Sequence, residues 1–202
     1  MRIAFIDGGT YYHHATYHDP AFLPCFERNI YICDLPTADL SELDCLWIAS
    51  RHDPQDLIRA KDVLLGFLQA GKMLVVMGEN GAEQWLDNVA WRPGVVNFWW
   101  WLEKDGDAGL RVAAPEHGLF NYLTLADATW HRHGGLTPPS GAVSLIDAQD
   151  DGCILFDATT EGGGRMLVTT LDPCYHHGSY FMPATTRFIT GMLAWLKAGA
   201  PA

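Results

Sequence analysis

The chain has 202 residues, 49% of them apolar, and a formal net charge of −11. That length and apolar content can bury a sizeable core in one domain spanning 1–202. The negative charge argues against nucleic acid and anionic membrane surfaces as partners.

The first strand is expected at Arg2 to Ile6, directly after the initial Met. No signal-peptide core precedes it and no apolar run is long enough to span a bilayer, so a cytoplasmic location is expected. The five cysteines are widely spaced, with no C-x-x-C pair, which suits a reducing compartment. Further strands are expected at Asn29 to Cys33, Cys45 to Ala49, Met73 to Met77, Cys153 to Phe156 and Arg165 to Leu171. These are short apolar runs, as in strands buried on both faces. Between the third and fourth, Leu57, Ala60, Leu64, Phe67 and Leu68 recur at helical spacing, so one helix is expected from Pro54 to Ala70, stopped by Gly71. Another should open near Ala82. A last helix, about Pro183 to Lys197, places Phe188, Met192 and Trp195 on one stripe beside Ile189, Leu193 and Leu196. Alternating strands and helices imply a flavodoxin-like, three-layer α/β/α sandwich with a mostly parallel sheet.

Residues 87–141 break this rhythm. They carry Trp91, Trp99, Trp100, Trp101, Trp130, His131 and His133 among scattered glycines and prolines, and read as extended segments and loops at the top or edge of the sheet. Three consecutive tryptophans on a strand cannot all face inward, so Trp99 to Trp101 are expected to lie partly on a covered surface. A second copy of the chain is the simplest cover, and a homo-oligomer is expected through this region.

In an open parallel sheet, ligands bind at the carboxyl ends of the strands. Those ends are rich in polar groups: Asp7, Tyr11, His13, His14 and His18 after the first strand, Ser50-Arg51-His52-Asp53 after the third, Glu79 and Asn80 after the fourth, and Asp172, His176 and His177 after the last. One crevice lined by Asp7, Tyr11, His13, His14, His52, Glu79, Asn80, Asp172, His176 and His177 would suit a small polar, sugar-like ligand. The same groups could supply acid–base catalysis. They could also hold zinc or another divalent metal, with His14, His52, Glu79 and His177 as one ligand from each converging segment. Surface histidines and turn-satisfying asparagines are the ordinary alternatives. Cys174, in a polar stretch, is the one cysteine expected to matter.

Gly78-Glu79-Asn80-Gly81-Ala82-Glu83-Gln84 follows an apolar strand and resembles the nucleophile elbow of class I glutamine amidotransferases, G-x-C-x-G-x-Q. Gly78 and Gln84 match, Ala82 stands for the second glycine, and Asn80 for the cysteine. Near the C-terminus, Asp172-Pro173-Cys174 stands where that family carries H-P-E. Gly163-Gly164-Arg165, Thr169-Thr170-Leu171 and Trp195 resemble the tail of ThuA-like proteins, which share the fold and lack the cysteine. Asp172 and Pro173 depart from the glycine and histidine expected there. The resemblance implies a glutamine amidotransferase-like domain without glutaminase chemistry. Together with the polar groups at the strand ends, the expected function is to bind a small polar, carbohydrate-related ligand in the crevice over Asn80. Metal- or histidine-dependent hydrolysis or isomerisation in the same crevice is the alternative.

Overall fold

The computed structural model describes residues 1–94, 99–149 and 151–202. Residues 95–98 of the Trp-rich segment thus lie outside the described residues. Among the described residues, ten strands form one sheet: β1 (Ile3–Asp7), β2 (Arg28–Tyr31), β3 (Cys45–Ile48), β4 (Met73–Val76), β5 (Ala90–Pro93), β6 (Leu110–Val112), β7 (Gly134–Thr137), β8 (Val143–Ala148), β9 (Gly152–Thr159) and β10 (Arg165–Thr169). Along β2-β1-β3-β4-β10 every neighbouring pair is parallel. On the far side of β10, β9 runs antiparallel and leads to β7, β5 and the β8–β6 pair.

Five α-helices accompany the sheet: α1 (Tyr11–Tyr17), α2 (Pro54–Arg59), α3 (Lys61–Gln69), α4 (Pro173–Gly178) and α5 (Pro183–Lys197), counted among the described residues. Alternation along the parallel strands divides the core in two. Ile3, Phe5, Cys45, Trp47, Met73 and Val75 face a layer containing α5. There Phe188, Met192, Trp195, Ile189, Leu193 and Leu196 are all buried, as their spacing predicts. Ala4, Ile6, Leu46, Ile48, Leu74 and Val76 face the opposite layer. The single helix expected from Pro54 to Ala70 is divided into α2 and α3, with Ala60 leaving helical geometry at φ −91° and ψ 1°. Both segments keep their apolar faces, Leu57 and Leu64, in this same cluster. Asp53 caps α2 by accepting from Gln55 N–H, and Pro54 takes the first helical position, where its missing donor is harmless.

Three local expectations change. The segments of α1 and α4 read as loops in sequence, yet both are helical. They pack on each other so closely that a Cβ on Gly178 would lie 2.5 Å from Tyr12 Cα. The helix expected near Ala82 is a single 3-10 turn, Ala82–Gln84. Trp100–Leu102 also form a 3-10 turn in place of a strand, leaving Trp99 and Trp101 64% and 59% exposed.

Candidate functional site

The carboxyl ends of β1, β3, β4 and β10 meet on one edge and are stitched by backbone bonds. Arg51 N–H donates to Gly78 O at 3.0 Å and Gly78 N–H to Leu171 O at 2.6 Å. Gly78 is required by that approach, because a Cβ there would lie 2.0 Å from Thr170 O. Two non-glycine residues at these ends are held with positive φ, Arg51 at 63° and Glu79 at 60°. Such backbone strain is unfavourable for side chains with a Cβ and persists only where surrounding contacts fix it.

Those contacts are ionic. Arg51 Nε lies 2.8 Å from Glu79 Oε2, and Arg51 Nη2 lies 2.7 Å from Asp172 Oδ2. The guanidinium also stacks 3.7 Å from the centroid of Tyr175. On its other side Glu79 reaches His133, with Oε1 2.9 Å from Nε2. Asp172 accepts from Trp130 Nε1 at 3.2 Å and lies 3.1 Å from His176 Nε2. His131 packs edge-on to His176 with ring centroids 4.5 Å apart.

The two carboxyls are driven in opposite directions. Burial raises the Glu79 pKa, and Arg51 and His133 only partly offset it. Burial also acts to raise Asp172, but His176, Arg51 and Trp130 outweigh it and hold this carboxyl below the usual range. Burial, helped by His176, lowers His131 to about 4. Beside this cluster opens a cleft of about 310 Å³ lined by Glu79, Gln84, Trp91, His133 and Thr170 among others. Trp91, on β5, lies against the backbone of Gly134: a Cβ there would come within 2.5 Å of the indole.

The structure divides the residues predicted to share one crevice into four places. Glu79, Asp172 and His176 belong to the cluster just described. Asp7, His13, His52 and Asn80 instead pin the strand ends from inside. Asn80 is 2% exposed; its Oδ1 accepts from His52 N–H, and its Nδ2 donates to Ala49 O and Met77 O, each at 2.7 Å. His13 Nδ1 accepts from Gly8 N–H at 2.9 Å, so its Nε2 donates to Ser50 O at 2.7 Å. His52 Nε2 bonds Ile6 O at 3.1 Å, and burial together with neighbouring His13 lowers its pKa to about 4. Burial tends to raise Asp7, yet His13, Asn29 and Gly9 hold it at about 2. His177 lies elsewhere, 3.2 Å from Asp19 Oδ2 and 2.9 Å from Thr186 Oγ1, beside a second cavity of about 430 Å³.

The remaining two face outward. His14 is exposed on α1 and stacks on His18, with centroids 4.2 Å apart. Tyr11 is 63% exposed and shares a hydrogen bond with Ser179. The predicted metal set of His14, His52, Glu79 and His177 therefore does not converge. Among the described residues, the group whose ligand atoms all come within 4.8 Å of one another is His131, Asp172 and His176. Cys174 is fully buried on α4 and burial raises its thiol pKa, which removes it as a nucleophile. Arg51, Trp91, His131 and His133 join or border this site although no local motif marks them as site residues. His131-x-His133 carried a usable signal, since alternate residues of an extended segment share a face.

Solved structures with this architecture include a glutamine amidotransferase from Thermotoga maritima at 10% identity and TM-score 0.55, matched over 98% of this chain and 85% of that one. The chain has the glutamine amidotransferase fold. A protein from Thermoplasma acidophilum, described as a GMP synthase subunit, aligns at 14% identity and TM-score 0.58, over 98% of this chain and 96% of that one. An exo-β-1,4-mannosidase from Opitutaceae bacterium strain TAV5 aligns at 14% identity and TM-score 0.51, over 97% of this chain but 35% of that one. At such identities the likeness is one of fold alone. No protein-family model and no curated protein matches the chain. No helix among the described residues is long and apolar enough to cross a membrane.

Proposed function

We propose that the protein is a non-amidotransferase member of this fold that binds a small polyhydroxy ligand, of the saccharide class, in the cleft over the β4 turn. The strained Glu79 that lines the cleft, ion-paired to the equally strained Arg51 beside it, carries this reading. Strain of that kind is retained where it positions a functional side chain. The cleft supplies the two elements that sugars require. The Trp91 face meets C–H groups, while Glu79, Gln84 and His133 exchange hydrogen bonds with hydroxyls. The tail Thr169-Thr170-Leu171 and Trp195 support kinship with ThuA-like proteins.

Glutaminase chemistry has no support in the crevice. The residue with φ 60° at the turn is Glu79, two positions before Gly81, so Glu79 better occupies the place where an amidotransferase carries its thiol. Asn80 turns inward instead. Neither residue can form a thioester. The test is calorimetric titration with a panel of mono- and disaccharides. Binding by at least one, lost in Glu79→Gln, supports the reading; a panel with no binder, or binding indifferent to Glu79→Gln, removes it.

A further inference from the structure

We infer that His131, Asp172 and His176 form a binding site for a divalent transition metal of the zinc or cobalt class. The inference stands apart from the saccharide reading, because it concerns other side chains and is read by metal alone. Two separate segments supply the ligands: the stretch before β7 gives His131, and α4 gives its N-cap residue Asp172 together with His176. Their ligand atoms all lie within 4.8 Å of one another. Asp172 and His176 sit at i and i+4, and His176 Nε2 is 3.1 Å from Asp172 Oδ1. Two ligands held at about 2.0–2.1 Å on a tetrahedral ion are roughly 3.3 Å apart, so this spacing needs little adjustment.

His176 carries the second observation. Its side chain is 1% exposed, yet neither ring nitrogen has a partner in hydrogen-bonding geometry. A buried imidazole whose Nδ1 has no partner and whose Nε2 faces the Asp172 carboxylate in poor hydrogen-bonding geometry is costly, and a metal ion shared with Asp172 would resolve it. Two imidazoles and one carboxylate suit zinc or cobalt and leave a fourth position for water. Trp130 Nε1, donating to Asp172 Oδ1, orients the carboxylate as outer partners of metal ligands do. Arg51 acts against the ion: its guanidinium holds Asp172 Oδ2 at 2.7 Å and offsets the carboxylate charge. Removing that charge should therefore tighten metal binding.

Cobalt(II) titration of the full chain, stripped with chelator and dialysed, tests the assignment by visible d–d absorption and by calorimetry. One equivalent with the intense bands of low-coordinate cobalt is expected. Affinity should fall about tenfold or more in His131→Ala, whose half-buried ring can be removed without opening the core, and rise in Arg51→Met. Zinc should displace the cobalt. The exposed His14 and His18 pair is a rival for the ion, and His14→Ala should leave the stoichiometric site intact. Absence of stoichiometric binding, or binding that survives His131→Ala and disappears in His14→Ala, overturns the proposal.

Discussion

Asn80 gives the sharpest test of how the strand ends are held. It makes three hydrogen bonds from a buried position, one accepted from His52 N–H and two donated to the carbonyls of Ala49 and Met77. Asn80→Ala removes all three and leaves three backbone groups without partners. At a net value of about 1 kcal/mol each, the loss is about 3 kcal/mol, and the unpaired groups can push it higher. With a urea slope of roughly 2 kcal/mol/M, the unfolding midpoint should fall by about 1.5 M at unchanged slope. Asn80→Asp should be worse at neutral pH. It keeps the acceptor for His52 but points a carboxylate at two carbonyls. Because its neutral form can donate to one of them, the deficit should shrink as the pH falls. An unchanged midpoint in Asn80→Ala would refute the view that this amide is a structural clamp, and would return it to the ligand-binding groups.

His52 makes stability depend on pH. Its folded-state pKa is lowered from 6.5 to about 4, so the unfolded chain takes up the proton first. Stability from this group is complete above about pH 6.5 and is lost as the pH falls towards 4, by about 3 kcal/mol in total. Urea melts between pH 7 and 4 should show that loss reduced in His52→Gln. Gly178→Ala should separate α1 from α4 and lower the melting temperature, since the added Cβ meets Tyr12 backbone at 2.5 Å; an unaltered melt would show that the two helices yield freely. Ammonia release from glutamine should be absent in the natural chain, and turnover would contradict the proposed loss of that chemistry. The Trp99 and Trp101 rings are exposed and 6.1 Å apart, and we propose that a second copy covers them. Light scattering should show a dimer that Trp101→Ser dissociates, and a monomer at micromolar concentration would remove that expectation.

The parallel strands and α5 were legible because burial on fixed faces imposes a period that the sequence must carry. Ile3 to Ile6, Cys45 to Ile48 and Met73 to Val76 could be placed from apolar runs alone, and α5 from its stripe. The helices α1 and α4 were not legible. Tyr-Tyr-His-His-Ala-Thr-Tyr and Pro-Cys-Tyr-His-His-Gly show little apolar periodicity, because each buries itself against the other through Gly178 and Tyr12. That explains why the adjacent histidines were misplaced. A helix turns about 100° per residue, so His13 points inward and His14 outward. His176 and His177, both buried, enter different environments. At the elbow, Glu79 and Asn80 are neighbours with opposite fates, decided by which one takes positive φ. Arg51 and the pair His131 and His133 depend on contacts across 28 positions of chain (Arg51 to Glu79) to 121 (Arg51 to Asp172), a kind of information that local pattern does not hold.

We propose that the cleft beside Glu79 receives a saccharide. A crystal structure of the protein soaked with the panel sugar that binds best tests this most directly. A sugar ring stacked on Trp91, with its hydroxyls bonded to the Glu79 carboxylate and His133, is the expected result. A sugar seated instead in the cavity beside His177 and Thr186, leaving Trp91 and Glu79 untouched, would contradict it.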